Sequence, residues 1–84
     1  MLIIINGGGK EVPLDVDPGI TLKELKQKFF EELRKKNWII KNTPQDKLKM
    51  SYGSKRLKDL SQTLRDLGVD EGDRIVINVS YIAA

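Results

Sequence analysis

The chain has no cysteine and no histidine, three prolines, and aromatics at only 6% of its 84 residues. Without cysteine there is no disulfide, no thiolate nucleophile and no soft zinc ligand. Without histidine the side chain that titrates unperturbed near neutral pH is missing, and so is the base of the usual nucleophilic triads. Long hydrophobic runs are missing as well. The stretch Met1-Leu2-Ile3-Ile4-Ile5 is apolar, but it is too short for a secretion signal or a membrane span and has no basic segment before it. We therefore expect a cytoplasmic protein with no membrane partner. A large excess of one sign of charge is missing too: a net charge of +3 suits solubility and a weak pull on acidic partners better than nucleic-acid binding.

What is present builds one core. With 39% hydrophobic and 32% charged residues the chain can fill a modest interior and solvate its surface, which points to one self-folding monomeric domain. The apolar start, the turn residues Asn6-Gly7-Gly8-Gly9-Lys10 and the alternation of Val12, Leu14 and Val16 within 11–17 predict a β-hairpin. Pro13 cannot donate a ladder hydrogen bond, so the second strand belongs at a sheet edge.

A helix starts at "GITLKEL". Thr21 and Glu24 have capping-box spacing, and Ile20 with Leu25 has the spacing of a hydrophobic staple. Leu22, Leu25, Phe29 and Leu33 form one helical stripe, with Arg34, Lys35 and Lys36 at the negative end of the dipole. Asn37 can adopt the left-handed stop and let Trp38 fold back on Leu33. Residues 39–46 then read as a connection. Lys47 to Tyr52 reads as a short strand, Gly53-Ser54 as a turn, Lys55 to Leu57 as a brief strand, and Leu64 to Leu67 as a helical turn. Ile75, Ile77 and Val79 face one way on a last strand.

The succession "MLIII", "PLDVDPGITLKELKQK", "MSYGSKRL" and "TLRDLGVDEGDRIVINV" resembles ubiquitin and its relatives over nearly the whole chain. The resemblance implies an α+β fold, the ubiquitin-like β-grasp: β-β-α-β-β order plus one brief strand, as a mixed five-stranded sheet on one helix. It implies a domain over residues 1–81 and a tail over 82–84. The family's buried positions fall here on Ile3, Ile5, Val12, Leu14, Val16, Leu22, Leu25, Phe29, Met50, Leu57, Leu64, Val69, Ile75 and Ile77, all apolar. The Asp17-Pro18 step stands where the family has its acidic-proline turn. Lys10, Lys26, Lys28 and Lys55 stand where it has chain-linking lysines, which makes them candidate acceptors. The main departure is a longer segment at 34–46.

The site-bearing positions have to be read singly. The family's apolar receptor patch falls here on Ser51, Asn78 and Gly7 or Gly8, so that patch is lost, and with it a small hot spot whose anchors are often worth about 2 kcal/mol or more. Familiar ubiquitin receptors should not recognise the chain. Leu2, Ile4 and Val76, with Lys49 and Arg74 at the margin, lie on the same outer face, either as a replacement patch or as strand-suited aliphatics without a role. We take Leu2, Ile4, Lys49, Ser51, Val76 and Asn78 as the candidate partner surface.

Ser80, Tyr81, Ile82, Ala83 and Ala84 form the candidate tail. Counting from the last strand, Ala83 and Ala84 occupy the slots of the family's terminal diglycine, and the chain stops at the same place. Glycine belongs there because activating enzymes and processing proteases thread a thin, φ-permissive backbone through a narrow channel. The resemblance implies a modifier joined to targets by an isopeptide bond after ATP-dependent activation, here with alanines in place of the glycines, either engineered or native. Its partners would be activating and conjugating enzymes, a processing protease and protein targets. The alternatives are a non-conjugating ubiquitin-like interaction module, whether a natural fragment or a design, and a sulfur-carrier relative. None of these is an enzyme.

Other chemistry is weaker. "GGGK" lacks the spacing, the following Ser or Thr and the helix of a phosphate loop. Asp15 with Asp17, and Asp70, Glu71 and Asp73 around Gly72, lack calcium-loop spacing and read as solvated turn carboxylates, so no metal or cofactor is expected. The cations at 34–36, 41, 47, 49, 55, 56 and 58, with Trp38 and Tyr52, could bind nucleic acid, but the helix-end cations already have a structural role and acids interleave the rest elsewhere in the chain.

Overall fold

In the computed structural model, which describes residues 1–40 and 48–83, the first two strands are β1 (Leu2–Gly7) and β2 (Lys10–Asp15). They pair antiparallel with Ile3 opposite Leu14 and Ile5 opposite Val12, so every inward position of the hairpin is aliphatic and buried. The turn closes on Gly8 and Gly9, at φ 59° and 82°, as the type I′ turn favoured by strand twist requires.

Helix α1 (Leu22–Lys35) opens on the expected capping box: the Thr21 hydroxyl accepts from the Glu24 N–H, and the Glu24 carboxylate accepts from the Thr21 N–H. Such a cap is worth about 0.5–2 kcal/mol. Its buried face is broader than the sequence stripe, because Phe30 and Lys26 join Leu22, Leu25, Phe29 and Leu33. Asn37 takes the left-handed stop at φ 57°. Its N–H reaches the Arg34 carbonyl and that of Trp38 the Leu33 carbonyl, which closes a Schellman motif and turns Trp38 back onto the core.

After the helix come β3 (Ile39–Ile40), β4 (Met50–Tyr52), β5 (Lys55–Leu57), the short helix α2 (Leu64–Leu67), β6 (Arg74–Ile77) and β7 (Tyr81–Ala83). A second capping box, Thr63 with Asp66, starts α2, and Gly68 ends it in the left-handed region. Thr21 and Thr63 pair backbone to backbone, so the two helix starts are tied together. The main sheet runs β2-β1-β6-β4-β5, with β1 and β6 parallel and the other pairs antiparallel. The expected mixed five-stranded α+β sheet on one helix is thus observed, with Pro13 on an edge strand.

One cluster fills the space between sheet and helix. All the apolar positions expected to be buried are buried, joined by Ile20, Phe30, Leu33, Leu48 and Val79. At roughly 1.5–3 kcal/mol per fully buried large aliphatic or aromatic side chain, this burial dominates the fold's stability.

Four local expectations need correction. Ile39 and Ile40, read as part of a connection, form a strand, because two β-branched residues find a partner in Tyr81–Ala83. The strand expected from Lys47 begins at Met50, with Lys47 itself outside the described residues. The last strand of the main sheet stops at Ile77, and Val79 packs into the core beyond its end. The sequence reading also lacks the second, two-stranded sheet of β3 and β7.

Candidate functional site

The partner surface expected on the outer sheet face is set by the strand register. Ile4 lies opposite Pro13 on one side and Arg74 on the other, while Val76 lies between Asn6 and Ser51. The outward aliphatics are therefore interleaved with polar residues. Leu2 and Val76 are exposed at 41% and 44%, and Ile4 is half-buried. Arg74 is held by Glu11 across β1, Nη1 to Oε1 at 3.1 Å, an exposed pair of small energetic weight.

Lys49, Ser51, Val76 and Asn78 do come together. With Gly53, Ser54 and Arg56 they line an open depression of about 360 Å³ at the β4 end of the face. Its charged side chains are Lys49 and Arg56, both exposed, and Val76 supplies an apolar point. Leu2 and Ile4 lie off this depression along β1, so the six expected residues divide into two groups.

The candidate acceptor lysines differ in access. Lys28 and Lys55 are exposed. Lys26 corrects the expectation: it is 5% exposed and its Nζ donates to the Leu48 carbonyl at 3.0 Å, so the fold does not present it to solvent. Lys10 is half-buried, and its Nζ sits 4.7 Å from the centre of the Trp38 ring and 5.7 Å from that of Tyr81.

The described part of the tail is docked. Tyr81–Ala83 pairs antiparallel with Ile39–Ile40, Ile40 opposite Tyr81 and Ile39 opposite Ala83, with a register shift between them. The Tyr81 hydroxyl donates to the Gly7 carbonyl at 2.9 Å, and its ring meets Trp38 edge-on at 6.1 Å between centroids. Partial burial raises the Tyr81 phenol above its ordinary pKa. A Cβ at Gly8 would sit 2.5 Å from Tyr81 Cε2, so the missing side chain is what lets the ring seat against the hairpin tip. Lys36 also lies over Trp38, at 5.3 Å. Ser80 is exposed just before this strand, and Ala84 lies outside the described residues. Sequence reasoning placed Trp38 at the helix end and Tyr81 in the tail without joining them. The available signal was a pair of aromatics flanking β-branched residues in two segments that the sheet order brings to one end.

Four of the five carboxylates weighed as a cation site have other partners. Asp15 meets the N-terminal ammonium, Asp17 accepts from the Gly19 N–H, and Glu71 accepts from the Leu2 N–H. Asp73 accepts from the Tyr52 hydroxyl and from the Asp70 N–H, which holds its carboxyl below the usual carboxylate range. Among the described residues no three such groups converge on a metal position, and no helix is long and apolar enough to cross a membrane.

The ubiquitin family model matches residues 2–81. The chain belongs to the ubiquitin family. The ubiquitin of Caldiarchaeum subterraneum is similar over 100% of this chain and 98% of its own, at 26% identity and TM-score 0.72. The ubiquitin-like domain of an Arabidopsis thaliana protein shares the fold at TM-score 0.72 and 23% identity, over 92% of this chain and 73% of its own. A search of curated proteins finds no match. The ubiquitin-like fold points to protein partners in general, and family members generally are not enzymes.

Proposed function

We propose that this ubiquitin-like chain works as a protein-recognition module whose receptor side is the depression around Val76, flanked by Lys49 and Arg56. The observation that carries the reading is the depression itself, where Lys49, Ser51, Arg56, Val76 and Asn78 meet on one open face. The cationic, serine- and asparagine-lined depression suits a protein segment that brings acidic groups around a small apolar tip. Leu2 and Ile4 extend the contact along β1. The protein acts in the cytoplasm as a monomer, without a cofactor.

A second reading has its own support, since the likeness to the Caldiarchaeum subterraneum ubiquitin covers 100% of this chain and 98% of that one. In it the protein is a modifier, attached through its C-terminal carboxylate after ATP-dependent activation, with Lys28 and Lys55 as exposed acceptors. The methyls of Ala83 and Ala84 oppose passage through an activating enzyme's channel.

One experiment separates the two. The wild-type chain and the double variant Ala83→Gly, Ala84→Gly are incubated with ATP and the activating enzyme from the same source, and AMP- or thioester-linked adducts are sought by mass. No adduct from either protein supports the recognition module. An adduct from the glycine variant, with or without one from the wild type, overturns it in favour of the modifier.

A further inference from the structure

The corner where Tyr81–Ala83 docks is built from the hairpin tip, the end of α1 and β3. The hairpin tip contributes Gly8, whose missing Cβ leaves room for the Tyr81 ring, and the Gly7 carbonyl, which accepts from the Tyr81 hydroxyl. The end of α1 contributes Trp38, set back over the core by the Schellman turn, and its ring takes the edge of Tyr81. Lys10 lies within 6 Å of both ring centres, at 4.7 and 5.7 Å. β3 then offers its backbone edge to Tyr81–Ala83. Two segments distant in sequence, the hairpin tip at 7–10 and the stretch 38–40, thus converge on Tyr81–Ala83.

We propose that this corner is a strand-binding site which the protein fills with its own tail, so that Tyr81–Ala83 is a latch and anything that reads the tail must first displace it. The ligand class the site takes is an extended segment carrying a phenol: the hydroxyl reaches Gly7, the ring seats on Gly8 against Trp38, and the backbone pairs with β3. The site discriminates by shape at Gly8, where any Cβ would collide with the ring. It discriminates by polarity at Gly7, where a buried residue's carbonyl meets a donor.

The latch is separable from the rest of the fold. Its contacts are a two-residue strand, one hydroxyl bond, ring edges, the Lys10 ammonium and the partly buried packing of Ile40 and Tyr81 on the rim of the core, whereas the main sheet rests on the continuous buried cluster itself. Segments with few buried apolar contacts open locally at a free energy well below that of global unfolding. The tail therefore exchanges between a docked and a released state while the sheet and helix stay intact. The inference concerns the tail's own equilibrium and stands under either role proposed above.

Amide hydrogen exchange on the full chain tests it. The slowest amide of Tyr81–Ala83 in the wild type should exchange at least about tenfold more slowly than in an unstructured peptide. Tyr81→Ser should bring the segment to peptide rates, Tyr81→Phe should give an intermediate rate, and the amides of Ile5 and Ile75 should stay slow in all three. Peptide-like rates in the wild type would overturn the latch. So would a protected tail in Tyr81→Ser, or protection that grows with protein concentration and so reports a second copy's tail in the site. None of these readings involves conjugation, so a failure here is distinct from a failure of the proposed function.

Discussion

The main sheet against α1 and the corner of β3 with β7 are both β-structure, yet different forces hold them. Between sheet and helix, Ile3, Ile5, Leu22, Leu25, Phe29, Ile75 and Ile77 have no exposed surface, and the stabilisation is the non-directional removal of apolar area from water. At the corner Ile39 is 54% exposed and Trp38, Ile40 and Tyr81 are only partly buried, so the pairing depends on a hydroxyl bond, ring edges and nearby ammonium groups. A core of the first kind is lost only by unfolding. A contact of the second kind opens alone, and a small domain needs that division if it is to move one end without losing its scaffold.

Substitutions should respect the division. The largest effect is expected from Phe29→Ala, which removes a fully buried ring beside Gly7 and should cost about 3–5 kcal/mol in urea unfolding. Tail and sheet should then be lost in one transition. Next, Gly8→Ala combines a left-handed φ with the Tyr81 collision. It should cost about 1–2 kcal/mol from the backbone alone and free the tail amides while the core still exchanges slowly.

Tyr81→Phe should cost less, about 1 kcal/mol, since it deletes one hydrogen bond and keeps the ring. It also carries a pH signature. Burial raises the Tyr81 phenol in the folded state, so its contribution is complete below the ordinary tyrosine value near 10 and is lost as pH rises through the raised folded value. Alkaline melting curves of the wild type should show this loss beyond that seen in the Tyr81→Phe variant. The smallest effect, roughly 0–1 kcal/mol and screened by salt, is expected for Arg74→Ala on the exposed sheet face.

The scaffold was legible because its signals agree with one another. The Thr21/Glu24 box, the Leu22-Leu25-Phe29-Leu33 stripe, Asn37 as the stop and Pro13 at an edge each express a local rule that the tertiary fold also satisfies. The corner was not legible for the opposite reason. β3 is two residues long, too short for any periodicity, and its partner lies far along the chain, so only the three-dimensional arrangement joins Ile39–Ile40 to Tyr81–Ala83. Trp38 was placed correctly at the helix end, but nothing local linked it to Tyr81 or to Lys10. Lys26 sits one position beyond the predicted stripe, and helix periodicity alone did not show that Leu48 would cover it.

On the outer face strand alternation places Ser51 and Val76 outward, and Lys49 and Asn78, just beyond the ends of their strands, line the same depression. The sequence did not show that Arg74 and Asn6 would interrupt the aliphatics, since that depends on the register between β1 and β6.

The docking of the tail on the hairpin tip is tested most directly by proton–proton NOEs in the full-length protein at low concentration. The account predicts cross-peaks from the Tyr81 ring to the Gly8 α-protons and to the Trp38 indole. Their absence, with random-coil shifts for Tyr81 and Ile82, would contradict it.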